Sequence, residues 1–132
     1  MLDSAYRRLA DLRLALGCTV VAFFLYFRLA AGLATIPAGA PGILALQLAF
    51  SRERFLAVLA AWGPDAAGFY VTGMWLDYLY PAAYALALAG WIARLGRDRT
   101  GAPGAWGRFL FRLPLAAGLL DWLENSLHLV VL

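Results

Sequence analysis

Lysine is absent from this chain; all eleven basic residues are arginine. Charge of either sign is scarce, at 14% of residues, against about 25% in a soluble domain. Cys18 is the lone cysteine, so an intrachain disulfide and a thiolate metal cluster are both excluded. His128 is the lone histidine, and the Glu-x-x-His unit of bundle metal sites is missing, so no metal ion is expected. A formal charge of +3 carried by arginines at segment ends reads as membrane topology and not as a nucleic-acid surface. There is no phosphate-cradling glycine loop, serine elbow, kinase signature or dinucleotide fingerprint, and hence no sign of a cofactor.

What is present is hydrophobic. Apolar residues make up 64% of 132 positions, enough for one unit, residues 1–132, and no second domain. About 20 apolar residues cross a hydrocarbon core about 30 Å thick, and three segments approach that length. Residues 14–34 form the first, too long for the core of a signal peptide and therefore read as an uncleaved span. Residues 69–95 form the second and 109–132 the third. The first thirteen residues make a short amphipathic start, with Asp3 or Ser4 as its cap and Tyr6, Leu9 and Leu12 on one side.

Two prolines and two glycines between Thr35 and Gly42 break the chain after the first span. Ser51 then caps an amphipathic helix over residues 51–62, ended by Gly63-Pro64 and lying on the outer surface. The fold class expected is all-α: an integral membrane bundle of three transmembrane helices plus one interfacial amphipathic helix. Five arginines against one aspartate between Arg94 and Arg112 put that loop and the amino terminus in the cytoplasm. The carboxyl terminus then lies outside, as in a multi-pass protein of the cell inner membrane. The chain ends at Val130-Val131-Leu132 without a polar tail, flush with the interface or short of a further segment.

The last span carries Asp121, Glu124, Asn125 and His128 at i, i+3, i+4 and i+7, a single stripe on a helix. A carboxylate in hydrocarbon is expensive, so the stripe must face protein, water or a ligand. The second span holds Asp77 among Trp75, Tyr78 and Tyr80, followed by Pro81. Proline at that position removes the helix hydrogen bond to the Asp77 carbonyl, four residues back; either this opens a polar pocket or presents a backbone acceptor, or Pro81 merely bends a long tilted helix. Counting helical rise from the outer span ends places Arg28, Asp77 and Glu124 in one layer.

Three chemistries fit that layer. In an internal network, Arg28 pairs with Asp77 or Glu124 while Asn125 and His128 complete hydrogen bonds, and the protein is a structural or assembly subunit. In a lipid- or hydrophobe-binding site, possibly catalytic, Asp77, Asp121, Glu124 and His128 are the acid/base candidates. Arg28, Tyr26, Trp75, Tyr78, Tyr80, Tyr84 and Asn125 then line the ligand, with membrane lipid as partner. In a proton- or ion-coupled transport subunit, the same carboxylates carry the ion and the chain assembles with copies of itself or with a membrane complex. The aromatics Trp62, Phe69, Tyr70, Trp91 and Trp106 read as interfacial belts, and Thr72 and Ser126 as intrahelical hydrogen-bonders.

The run Trp75-Leu-Asp77-Tyr78-Leu-Tyr80-Pro81, with Leu113-Pro114 followed by Asp121-Trp-Leu-Glu124-Asn125, resembles small bacterial integral membrane proteins of uncharacterised function. The resemblance covers residues 50–132 and implies a helical membrane fold, often with a fourth span, and no particular activity. In architecture alone the chain is also similar to four-span sterol-isomerase-like and sigma-2-receptor-like membrane proteins, which set carboxylates and aromatics in a lipid-facing pocket.

Overall fold

Asp11 starts the first long helix. Its carboxylate accepts from the backbone N–H groups of Arg13 and Leu14 at 2.8 and 3.2 Å, satisfying two of the four donors a helix start leaves open. A computed structural model describes residues 2–97 and 104–132 of the chain. Its elements are all helical: α1 (Leu2–Leu9), α2 (Leu12–Leu33), α3 (Ile43–Gln47), α4 (Arg52–Leu95), α5 (Ala105–Leu110) and α6 (Arg112–Val131). Among the described residues, α2 and α4 are long and apolar enough to cross a membrane. The middle of the cytoplasmic loop expected from Asp98, Arg99, Gly101 and Pro103 lies outside the described residues.

Several expected boundaries shift. Helix α1 already runs through Asp3 and Ser4, so neither caps it. The helix expected over 51–62 is present, with Ser51 Oγ accepting from Arg54 N, but it is the first arm of α4. Gly63 adopts φ 78° and ψ 172°, a left-handed conformation that glycine alone takes freely, and the chain turns sharply there. Pro64 then opens the second arm, where a missing N–H is harmless. That arm therefore begins five residues before Phe69. The last span expected over 109–132 is divided by a tight turn at Phe111 into α5 and α6.

The second arm of α4 is the centre of the molecule. It packs along both α2 and α6, which touch α4 far more than each other. Ala83, Ala85, Ala87, Ala89, Gly90 and Ala93 are all buried, and small residues on two sides let two helices approach closely. A Cβ on Gly118 of α6 would stand 3.0 Å from Ala85 Cβ and 3.1 Å from the Pro81 carbonyl oxygen, which marks the α4–α6 crossing. At one end α1 folds back on α4, where Tyr6, Ala10, Ala89, Ala93 and Phe111 form a core. The Tyr6 and Phe111 rings meet edge to face at 5.2 Å. At the other end Leu46, Phe55, Leu59, Trp62 and Ala66 make a second core that joins α3 and the first arm of α4 into a cap.

Outward surfaces are strongly apolar. Phe23, Phe24 and Phe27 of α2 are each at least 60% exposed, and Leu119 and Leu120 of α6 more than 60%. Trp62, expected in an interfacial belt, is instead buried in the cap, its indole N–H donated to the Pro41 carbonyl. Trp91 likewise turns inward and donates to Thr19 Oγ1 at 3.0 Å. Thr72 and Ser126 bond back to the carbonyls of Gly68 and Trp122, as their positions within helices imply.

Candidate functional site

One cavity of about 400 Å³ lies over the second arm of α4, between α2 and α6 and beneath the cap. Each long helix faces it with the same spacing. Helix α2 contributes Tyr26, Leu29, Ala30 and Leu33; α4 contributes Tyr70, Gly73, Met74 and Asp77; α6 contributes Asp121, Glu124, Asn125 and His128. Positions i, i+3, i+4 and i+7 share one face of a helix, so three stripes meet in one space. The α2 wall is hydrocarbon apart from the Tyr26 hydroxyl, and the α6 wall is entirely polar. Trp62, Ile43 and Gln47 close the outer end.

The polar wall is held by hydrogen bonds across the α4–α6 contact. Asn125, 7% exposed, donates from Nδ2 to the Asp77 carbonyl at 3.0 Å. That is the acceptor Pro81 leaves open. Trp122 Nε1 donates to the next carbonyl, that of Tyr78, at 2.7 Å. Tyr84 donates its hydroxyl to Asp121 Oδ2 at 2.6 Å. The Tyr70 hydroxyl meets His128 Nδ1 at 2.9 Å, and the His128 ring lies against Phe55 of the cap at 5.1 Å between centroids. Arg52 Nε reaches the Val131 carbonyl at 3.1 Å, tying the start of the cap to the end of α6.

The sequence-predicted residues divide accordingly. Asp77, Asp121, Glu124, Asn125, His128, Tyr26 and Tyr80 line the one cavity. Arg28, Trp75 and Tyr78 do not. Arg28 is exposed; it falls two residues after Tyr26 and one before Leu29, off the cavity stripe of α2, so it does not complete the layer with Asp77 and Glu124. Trp75 is 69% exposed on the outer surface of α4. Tyr78 turns toward α6, where its hydroxyl meets Ser126 Oγ at 2.9 Å. Tyr84, also expected at the pocket, lies outside this cavity but bonds to Asp121, whereas Tyr70, Met74 and Gly73 line it without being pointed to by the sequence pattern. Their place is legible only from the Asp77 helical stripe, and Tyr84 touches Asp121 through a rotation no pattern encodes.

Chemically the site offers acceptors. The described residues make no hydrogen bond to the Glu124 carboxylate, whereas Asp121 and His128 already have tyrosine partners. Among the described residues no three His, Cys, Asp or Glu side chains converge as a metal site. No protein-family model, curated protein or solved structure matches the chain, so the site is read from its own chemistry.

Proposed function

We propose that this chain is a three-span inner-membrane protein that binds a lipid or small hydrophobic ligand in the cavity between α2 and α6. The observation that carries the reading is the cavity's two-sided lining: an aliphatic wall from Leu29, Ala30 and Leu33 opposite Asp121, Glu124, Asn125 and His128. Binding sites of this kind combine apolar walls with a few convergent polar groups, in volumes of roughly 300–1,000 Å³. Helix α6 is the third span in this reading. Its carboxylates lie on the inner stripe, while Leu119, Leu120, Leu123, Leu127 and Val130 point outward and are all more than half exposed. Apolar surface of that extent suits lipid better than water. The arginine distribution supports a cytoplasmic amino terminus and an outer cap.

The test is native mass spectrometry of the protein released from mild detergent, comparing wild type with Gly73→Leu and Glu124→Gln. Gly73 lines the cavity, and a Cβ there would meet nothing closer than Leu29 at 3.9 Å, so a side chain can leave the backbone there toward ligand space. A bound species retained by wild type and lost from both variants supports the reading. An empty wild type overturns it.

A second reading is favoured by the hydrogen bonds that cross from α4 to α6 at Asp77, Tyr78, Tyr84 and Tyr70. They make the polar stripe a lock between spans of a structural or assembly subunit. Loss of a native oligomer from Asn125→Ala, which removes one of these bonds, with no bound species in wild type, selects that reading.

A further inference from the structure

A second cleft, also of about 400 Å³, lies between α2 and α4 on the α1 side of the first. Ala22 and Phe23 form one side, Ala87, Leu88 and Trp91 the other. Tyr26 and Tyr80 line both spaces, so the two meet at these rings. Polarity changes across that junction. In the second cleft Trp91 Nε1 is engaged with Thr19 Oγ1 at 3.0 Å and the Tyr84 hydroxyl with Asp121, which leaves the hydroxyls of Tyr26 and Tyr80, the residues shared with the first space, as its other polar groups. The remaining surface is hydrocarbon and ring face. An alkyl chain enters such a space without stranding a polar group, whereas a head group forfeits its hydrogen bonds there.

We propose that the second cleft is the tail subsite of the ligand held in the first, and that the occupant is a single-chain amphiphile with a hydrogen-bond-donating head. The head, a hydroxyl or an amine, sits against the α6 wall, whose acceptors match a donor and repel a phosphate or carboxylate. The chain passes between Tyr26 and Tyr80 and runs along α2 and α4 to Trp91. From Tyr80 to Trp91 is eleven residues of one helix, about 16 Å of rise, which is the reach of a medium-length alkyl chain. This assignment rests on the ligand-binding reading above.

Two of the five tryptophans supply the experiment, since Trp62 lines the first space and Trp91 the second. The full chain in lipid nanodiscs is titrated with dodecanol or pentanol, each brominated at the terminal carbon, and tryptophan quenching is followed. Wild type is compared with Trp91→Phe, Trp62→Phe and Ala22→Phe. The expected result is saturable quenching by bromododecanol, most of it removed by Trp91→Phe, with bromopentanol quenching removed by Trp62→Phe instead. Ala22→Phe, which narrows the tail cleft, raises the half-saturation for dodecanol about tenfold and leaves pentanol unchanged. Saturable bromododecanol quenching that Trp91→Phe does not alter overturns the tail subsite and leaves the first cavity as a binding site. Equal affinity for the terminally brominated dodecanoic acid overturns the donor head. Quenching that rises without saturation for both alcohols overturns the tail subsite and the ligand-binding reading together.

Discussion

The side-chain amide of Asn125 donates to the backbone carbonyl of Asp77 at 3.0 Å, and that carbonyl is the one Pro81 deprives of its helix partner. A defect in one helix is thus completed by a side chain of the next. In hydrocarbon such a carbonyl has no water to turn to, so the pair fixes both the rotation of α6 and the depth at which its carboxylates face the cavity.

Removing the donor tests this link. Asn125→Ala should cost about 1–2 kcal/mol, because a buried acceptor is left unpaired; an exchangeable interhelical bond would cost nearer about 0.6 kcal/mol. In a Pro81→Ala background, where the helix supplies its own N–H, the same substitution should cost less. Detergent unfolding of the four proteins in a double-mutant cycle measures the difference. Strict additivity would break the connection drawn between Pro81 and Asn125.

The α4–α6 crossing leaves little room. Gly118→Leu should destabilise by about 2–3 kcal/mol through overpacking, since even a Cβ would sit 3.1 Å from the Pro81 carbonyl oxygen. Gly73→Ala, facing open cavity, should instead stabilise by about 0.5–1 kcal/mol through lower backbone freedom in the unfolded chain. Thermal unfolding of both variants checks the pair, and equal signs would contradict the geometry.

Tyr6 fills the core under α1 with its ring, but its buried hydroxyl has no hydrogen-bond partner among the described residues. Burial raises the phenol above its ordinary value of 10.0, and Arg97 and Arg108 draw it partly back. Folded protein therefore keeps this proton to higher pH than unfolded protein does. The stability involved is complete below pH 10 and lost as pH climbs toward the raised value. Tyr6→Phe should leave stability at neutral pH within about 0.5 kcal/mol and should lessen the alkaline loss. Melting temperatures of both proteins across an alkaline series give the answer, and parallel curves would mean the phenol titrates normally.

The proposed topology has a direct readout. In a Cys18→Ser background, Ala38→Cys should react with an impermeant maleimide on intact cells, and Arg8→Cys only after lysis. Labelling of Arg8→Cys alone from outside would invert the three-span arrangement, and labelling of both would abolish it.

Much of this molecule is written locally. The break at residues 35–42, the Ser51 cap, the turn at Gly63-Pro64 and the apolar runs of α2 and α4 follow from turn chemistry and hydropathy, which act over a few residues. So does the polar stripe Asp121, Glu124, Asn125 and His128, because helical periodicity alone sets it on one face. The open Asp77 carbonyl is equally a property of Pro81. Rotation and partnership are not local. Whether Arg28 pointed at the carboxylates depended on which face of α2 met α4, and packing chose the face carrying Tyr26, Leu29, Ala30 and Leu33. Trp62 is apolar enough for an interface or a core, and only the fold of the cap over α4 put it in the core. Tyr84 reaches Asp121 across 37 positions of sequence. Sequence patterns determine what each helix can bury; the close packing of all of them together decided which of those faces meet.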